Sequence, residues 1–264
     1  MPKETTIWYF TGTGQCKIVS EYIAANLRSD GHQVKIINIT PLDVRNCIKG
    51  NIDCNQLIIV FPVYGSDAPK SLKDFMKELK ADMVPVMLIA LWGNAHKGKA
   101  LCNVGEILNG NGFVVNGAAE IVAEHSYLGQ KPPIIGERPT EAEKQGLVEF
   151  VNKQLLKKDS IKLVANNDKL HIKIICSLPQ GFVSKLFIKL NLQHNKCNEC
   201  GICRKMCPVG SIKEDLTVDK KKCIMCLSCV TNCKRKARTC KVMDVAKKAL
   251  GHHQKIKNEN VFYK

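Results

Sequence analysis

The feature that most constrains this chain is a cysteine motif that occurs twice between positions 197 and 233. Each copy has three cysteines separated by two residues, then a fourth cysteine after three more. A tight turn with three thiolates at this spacing binds three corners of one iron–sulfur cubane. Zinc ribbons instead need their four ligands in two pairs. The pattern therefore predicts two 4Fe–4S clusters, with ligands Cys197, Cys200, Cys203, Cys207, Cys223, Cys226, Cys229 and Cys233.

The fourth cysteine of each copy lies too far along the chain to close the same cluster easily, so we expect it to cross to the other. The predicted ligands of the first cluster are Cys197, Cys200, Cys203 and Cys233. Those of the second are Cys223, Cys226, Cys229 and Cys207. The six scattered cysteines are interpreted as small buried hydrophobes: Cys16, Cys47, Cys54, Cys102, Cys176 and Cys240.

Residues 196–240 resemble the bacterial two-cluster ferredoxins, which carry this doubled motif. The resemblance implies a small α+β domain with pseudo-twofold symmetry, whose clusters lie close enough to exchange electrons. One departure is Lys234, at a position where the family usually has proline. With Arg235, Lys236 and Arg238 it places four cations beside one cluster. These cations should stabilise the reduced cluster and raise its potential.

The first 160 residues alternate between two kinds of hydrophobic pattern. Strand-like runs at 5–10, 33–39, 57–63, 84–91 and 113–122 are separated by helical patterns at 16–27, 70–80, 99–108 and 140–156. Repeated βαβ units close into parallel sheets with helices on both faces. The sequence therefore predicts an α/β domain with a doubly wound, five-stranded parallel sheet.

A glycine-containing turn separates the first strand from the first helix. It consists of Thr11, Gly12, Thr13, Gly14, Gln15 and Cys16. Glycines let backbone N–H groups converge on a phosphate, and the helix N-terminus adds positive potential. A dinucleotide fingerprint would need a third glycine where Lys17 stands, and a nucleotide P-loop would need lysine at Gln15. The turn is thus a phosphate loop of another kind.

This loop resembles the phosphate loop of flavodoxins, and the resemblance covers residues 3–158. It implies strand order 2-1-3-4-5 and an FMN at the carboxyl edge of the sheet. In that family the loops after the third and fourth strands contact the flavin ring. The corresponding residues are Pro62, Val63, Tyr64 and Gly65, then Trp92, Gly93 and Asn94. Cys16 stands where the family has serine or threonine and is a poorer hydrogen-bond donor.

Four segments are predicted: a flavodoxin-like domain at 1–160, a helical connector at 161–195, a two-cluster ferredoxin domain at 196–241 and a solvated basic tail at 242–264. The connector is interpreted as two short helices, within 170–192, that flank a break at 179–181. This order of domains resembles the flavodoxin–ferredoxin fusion flavoproteins of anaerobic bacteria and archaea. The resemblance implies electron transfer between FMN and the clusters.

An FMN-dependent reductase of a small molecule, fed by the clusters, is the alternative, so whether the chain is an enzyme stays open here. Acid–base chemistry over the flavin would separate the two hypotheses, and the candidate residues for it are His96, His125 and Tyr127.

The charge is divided unevenly along the chain. Residues 1–160 hold 18 Lys and Arg against 17 Asp and Glu, whereas residues 161–264 hold 22 against 7. A basic half of this kind favours an acidic redox protein, such as a ferredoxin, as partner. No nucleic-acid motif is present, so we expect no nucleic-acid partner. No apolar run is long enough to span a membrane and the N-terminus lacks a signal peptide, so a cytoplasmic location is expected.

Overall fold

The computed structural model describes residues 4–127, 138–155, 157–164, 178, 180–254 and 258–264. The strands are β1 Glu4–Tyr9, β2 Gln33–Asn38, β3 Gly50–Ile52, β4 Leu57–Pro62, β5 Leu79–Ala81, β6 Val84–Trp92, β7 Phe113–Val122, β8 Ile188–Leu192, β9 Arg238–Val242 and β10 Val261–Tyr263. The helices are α1 Gln15–Ser29, α2 Leu42–Cys47, α3 Lys70–Lys77, α4 Ala100–Asn109, α5 Glu141–Gln154, α6 Phe182–Phe187, α7 Ile202–Lys205, α8 Ser228–Thr231 and α9 Asp244–Gln254.

The predicted five-stranded parallel sheet is confirmed. Strands β2, β1, β4, β6 and β7 lie side by side in that order and are all parallel. This is the 2-1-3-4-5 order of flavodoxin-like folds. In it, the loops after β1, β4, β6 and β7 leave the sheet at one edge.

Helices cover both faces of this sheet because its strands are apolar on both sides. Within β1, Trp8 packs with side chains of α3 and α4, whereas the neighbouring residues Ile7 and Tyr9 pack with side chains of α1 and α5. Every residue of β4 is buried. The two cores fix the register of the strands, since a slip by one residue would exchange the two faces.

The cysteine-rich part is framed by an antiparallel hairpin of β8 and β9. Its two short helices, α7 and α8, each begin just after the second cysteine of a motif. No helix in the described ranges combines the length and apolarity needed to cross a bilayer.

The structure differs from the prediction in part of each segment outside these domains. Within the predicted helical connector, only α6 is an α-helix among the described residues, and 188–192 forms the strand β8, because its apolar side chains pair with β9. Residues 165–177 and 179 lie outside the described ranges. The predicted solvated tail contains α9 and ends in β10, which pairs antiparallel with β7. Phe262 of β10 packs against Phe150, and this apolar contact accounts for the pairing.

Candidate functional site

The eight predicted cysteine ligands line two separate cavities. The first cysteine cavity is lined by Cys197, Cys200, Cys203 and Cys233. The second cysteine cavity is lined by Cys207, Cys223, Cys226 and Cys229. The fourth cysteine of each motif thus lies with the first three cysteines of the other motif. This is the crossed arrangement that the spacing predicts.

The two motifs share a backbone conformation with positive φ at matching positions. The residues just before and just after the second cysteine are Glu199 and Gly201 in the first motif, with φ of 55° and 70°, and Met225 and Leu227 in the second, with φ of 57° and 63°. A left-handed conformation is costly for residues other than glycine and persists mainly at functional sites. The repeated strain therefore indicates that both turns are shaped to hold a ligand.

The turns that follow the fourth cysteines match as well. Gly210 and Lys236, each three residues after that cysteine, have φ of 58° and 52°. Their N–H groups donate to the carbonyl oxygens of Cys207 and Cys233. Lys234, where proline is usual, therefore leaves this turn unchanged.

Backbone N–H groups point at cysteine sulfurs in both cavities. The N–H of Glu199 lies 3.4 Å from Cys197 Sγ, and the N–H of Met225 lies 3.4 Å from Cys223 Sγ. Ser211 donates its N–H to Cys207 Sγ at 3.2 Å. Hydrogen bonds to sulfur stabilise thiolates and are among the features that set cluster potentials.

This donor set fits a cubane better than a single ion. Among the residues that the structure describes, no three Cys, His, Asp or Glu side chains converge as ligands of one metal ion would. A cubane binds each thiolate to a different iron, so its ligands stay spread around a cavity. Burial raises the pKa of the Cys229 thiol to about 12, although Arg238 lowers it. Such a thiol is protonated at neutral pH until a metal replaces its proton.

Of the four cations predicted beside one cluster, Arg238 alone is buried. It lines the first cysteine cavity and donates to the carbonyl oxygen of Leu216. Lys234, Arg235 and Lys236 are exposed. Water and salt screen exposed charges, so Arg238 would contribute most to the potential of a cluster held in this cavity.

The predicted phosphate loop lies at the carboxyl edge of the sheet. Thr11 accepts the N–H of Gly14 at 2.9 Å through its hydroxyl, and Gly14 has φ of 101° just before α1. A side chain at Gly12 would collide with the carbonyl oxygen of Cys226 and with the hydroxyl of Tyr64. The loop is therefore packed directly against the second cysteine motif.

Eleven of the thirteen residues predicted to contact FMN line one small cavity of about 90 Å³. They are Thr11, Gly12, Thr13, Gln15, Cys16, Pro62, Val63, Tyr64, Gly65, Trp92 and Gly93. The other two, Gly14 and Asn94, do not line it. Gly14 instead shapes the loop, and Asn94 is buried and accepts from the side chain of Asn258 at 2.7 Å.

A larger cavity of about 660 Å³ adjoins the small one and lies between the two halves of the molecule. The two cavities share Val63, Tyr64, Gly65, Gly93, His125, Tyr127 and Ser184. Ligand cavities usually measure about 300–1,000 Å³, so the small cavity alone cannot hold FMN, whereas the pair can.

The polar groups around this pair of cavities also fit FMN. Both the Tyr64 hydroxyl and the Trp92 indole N–H are buried, and no group among the described residues accepts a hydrogen bond from either. Both can donate to the oxygen-rich parts of a flavin mononucleotide. The residues thus fit a phosphate in the small cavity and a flavin ring reaching into the larger one. Cys16 is buried, and this burial raises the pKa of its thiol.

Three predicted acid–base candidates lie at the larger cavity: His96, His125 and Tyr127. The Tyr127 hydroxyl donates to Ser184 Oγ at 2.8 Å, and burial raises the pKa of Tyr127. The ring centroids of His125 and Tyr127 lie 5.4 Å apart.

At this cavity, two side chains that the sequence did not single out connect the two halves of the molecule. The Gln180 side chain donates to the carbonyl oxygens of Tyr64 and Ala68 and accepts the N–H of Lys70. Ser184, on α6, belongs to the same group. A single glutamine or serine in a short, irregular segment carries no periodic signal, so its role appears only in three dimensions.

Comparisons with known proteins found matches to parts of this chain. Residues 192–213 match the family of 4Fe-4S binding domains. An uncharacterised protein of Methanocaldococcus jannaschii is 38% identical over 61 residues, which is 23% of this chain and 24% of that protein. The match therefore spans about a quarter of the curated relative.

Among solved structures, similar folds include an archaeal flavodoxin, with 13% identity, 59% of this chain covered, 98% of that chain covered and a TM-score of 0.42. The flavodoxin of Fusobacterium nucleatum bound to flavin mononucleotide has 16% identity, covers 57% of this chain and 98% of its own, and has a TM-score of 0.39. The strand order and the matched segment together make this chain a flavodoxin-like α/β domain joined to a ferredoxin-type iron–sulfur domain.

Proposed function

We propose that this chain is an electron-transfer protein that passes electrons between two 4Fe–4S clusters and FMN. The observation that carries the proposal is the contact between Gly12, in the phosphate loop, and the carbonyl oxygen of Cys226, in the second cysteine motif. Two cofactors held by these loops would be neighbours in space. FMN exchanges one or two electrons, whereas each cluster exchanges one. The chain would therefore link two-electron transfer to one-electron transfer.

The exposure of the cysteines supports an order for the electron path. Cys200, at the first cysteine cavity, is exposed, whereas Cys223 and Cys226, at the second, are buried. The first cluster would therefore meet the external partner, and the second would lie between the first and the flavin. The basic residues around the first cavity favour an acidic redox protein, such as a ferredoxin, as that partner.

The larger cavity supports a second candidate function, the reduction of a small molecule at the flavin. Its volume of about 660 Å³ would leave room beside a flavin ring, and His96, His125 and Tyr127 lie at its wall. If the chain is such a reductase, Tyr127→Phe should slow reoxidation of the flavin by a small acceptor such as menadione but not by ferredoxin. Wild-type rates with both acceptors in that variant would favour electron transfer alone.

Anaerobic reconstitution tests the main proposal. The loaded protein should hold about eight irons, about eight sulfides and one FMN per chain. After photochemical reduction of the clusters, the flavin absorbance should bleach at a rate that does not depend on protein concentration, because donor and acceptor share one chain. A rate proportional to protein concentration, or iron that stays near four, would contradict it.

Thr13 provides the matched pair of variants. Thr13→Asp places a carboxylate in the phosphate loop and should abolish FMN retention while iron content stays unchanged. Thr13→Ser keeps the hydroxyl and should retain FMN. Gly12 is a poorer choice, because a side chain there would also press on the Cys226 backbone. Bound FAD or NAD in place of FMN would refute the flavin assignment.

A further inference from the structure

Arg45 is a buried cation held between the two halves of the molecule. It lies on α2, in the flavodoxin-like domain, and is 3% exposed. One terminal nitrogen donates to the carbonyl oxygens of Ile39 and Thr40, at 2.6 Å and 2.7 Å. The other donates to the carbonyl oxygen of Pro208, which follows Cys207 in the second cysteine cavity.

These three carbonyl oxygens accept hydrogen bonds from the guanidinium but leave its charge uncompensated. A buried charge without an opposite charge nearby costs several kcal/mol. In the described part of the chain, no ion pair includes Arg45. The carboxylate of Asp43 belongs to an exposed side chain. Burial lowers the pKa of Arg45 to about 10, although Cys207 and Asp43 act in the opposite direction.

We propose that Arg45 is the counter-ion of the second 4Fe–4S cluster and a positioning residue that raises its reduction potential. The inference rests on the two-cluster assignment made above. A cubane with four thiolates is anionic and gains one more negative charge on reduction. A buried cation at Pro208 stabilises the reduced state more than the oxidised state, since little water screens it.

Arg45 also connects the second cysteine cavity to the phosphate loop. Thr40, one of its carbonyl partners, accepts the N–H of Thr11 through its side chain at 2.8 Å. The guanidinium lies 5.4 Å from the centre of the Phe10 ring. One side chain therefore holds the turn after Cys207 against the residues that begin the phosphate loop.

The test compares Arg45→Gln, which keeps polar donors but loses the charge, with Arg45→Lys, which keeps the charge. The loaded proteins are titrated in the presence of a series of redox mediators. The one-electron reduction of each of the two clusters is followed by visible absorbance and electron paramagnetic resonance. In Arg45→Gln, the equilibrium constant for reducing one of the two clusters should fall at least tenfold. This is equivalent to a reduction potential about 59 mV lower. The potential of the other cluster should not change, and Arg45→Lys should retain most of the wild-type potential.

Arg28→Gln is the matched control, because Arg28 also donates to a backbone carbonyl, that of Val34, but is exposed. Arg28→Gln should change the reduction potential of neither cluster. If Arg45→Gln loads fully and both potentials stay at wild-type values, the counter-ion role is overturned. A wild-type chain that binds only about four irons would contradict the proposed function instead.

A second pair of variants applies where Arg45→Gln does not retain its clusters. Leu42 is 40% exposed, lies on the same helix as Arg45 and is next to Gly210, in the turn that follows Cys207. Leu42→Glu places a carboxylate that competes with the cluster for Arg45, so the affected potential should fall relative to Leu42→Gln. Equal potentials in these two variants would overturn the proposal.

Discussion

Cys207 is the residue whose position distinguishes crossed from uncrossed cluster binding. It ends the first motif in sequence but lines the second cysteine cavity with Cys223, Cys226 and Cys229. We therefore expect Cys207→Ala to remove the same cluster as Cys226→Ala, with iron falling from about eight to about four per chain in each. Iron analysis and the resonance signal of the remaining cluster provide the measurement. Loss of different clusters in the two variants would refute the crossed assignment.

Cys102 is the control for this comparison. It is a buried cysteine of α4 outside both motifs. Cys102→Ala removes a small buried side chain and should lower stability without changing the iron content.

Single residues also mark the limit of what the sequence could predict. The eight cysteines were predictable because short fixed spacings reflect the geometry of a cubane. Arg45 was not, because its role depends on a carbonyl oxygen 163 positions away in the chain. Asn94 shows the same limit, since only the structure shows that its side chain accepts a hydrogen bond from Asn258, 164 positions away in the chain.

The C-terminal strand β10 adds a sixth strand to the sheet, beside β7. Besides pairing with β7, this segment binds the main chain of Val122 through Asn260 and the side chain of Asn94 through Asn258. Both contacts support loops that follow strands at the carboxyl edge. The strand therefore connects the C-terminal segment to the candidate flavin site.

Truncation after residue 257 tests this connection. We expect a loss of stability of about 3 kcal/mol or more, because Phe262 leaves its contact with Phe150 and the edge of β7 loses its partner. FMN affinity should fall as the loop at Asn94 loosens, while iron content stays near the wild-type value. Thermal unfolding and flavin titration measure the two effects. Lys264→Ala, at an exposed end residue, is the control.

At the scale of elements, the longer helices and strands of the flavodoxin-like domain could be predicted, whereas the shortest ones and the 11-residue helix α9 could not. Strands β1, β4, β6 and β7 have apolar runs that only burial on both faces explains, so their pattern was sufficient. Strands β8 and β10 are short and mix apolar with polar or charged residues, and they become strands by pairing with partners far along the chain. Long-range pairing of this kind leaves little local signal.

On the scale of the whole molecule, the candidate cofactor sites lie in two different environments. The first cysteine cavity opens near a basic surface, whereas the second cysteine cavity is buried against the flavodoxin-like domain. The uneven charge of the chain follows this division, since the excess of Lys and Arg lies beyond residue 160. One side therefore suits contact with an acidic partner, and the other suits transfer within the chain.

The basic surface beside the first cysteine cavity is where electrons should enter or leave. Lys234, Arg235 and Lys236 are exposed, and Arg235 lines that cavity. Replacing all three by Glu should slow electron exchange with an acidic ferredoxin at least tenfold at low salt, because the encounter is guided by opposite charges. FMN and iron content should not change. Stopped-flow mixing at several ionic strengths measures the rate.

Lys220, Lys221 and Lys222 provide a control with an equal change in charge. They are exposed as well, but they precede Cys223 of the buried second cysteine cavity. If the partner docks at the first cavity, reversing these three should slow exchange much less than reversing Lys234, Arg235 and Lys236. The wild-type rate should also fall steeply with added salt, since charges are screened beyond about 8 Å at physiological ionic strength. A rate indifferent to both salt and charge reversal would show that this surface is not a docking site and would favour the small-molecule reductase.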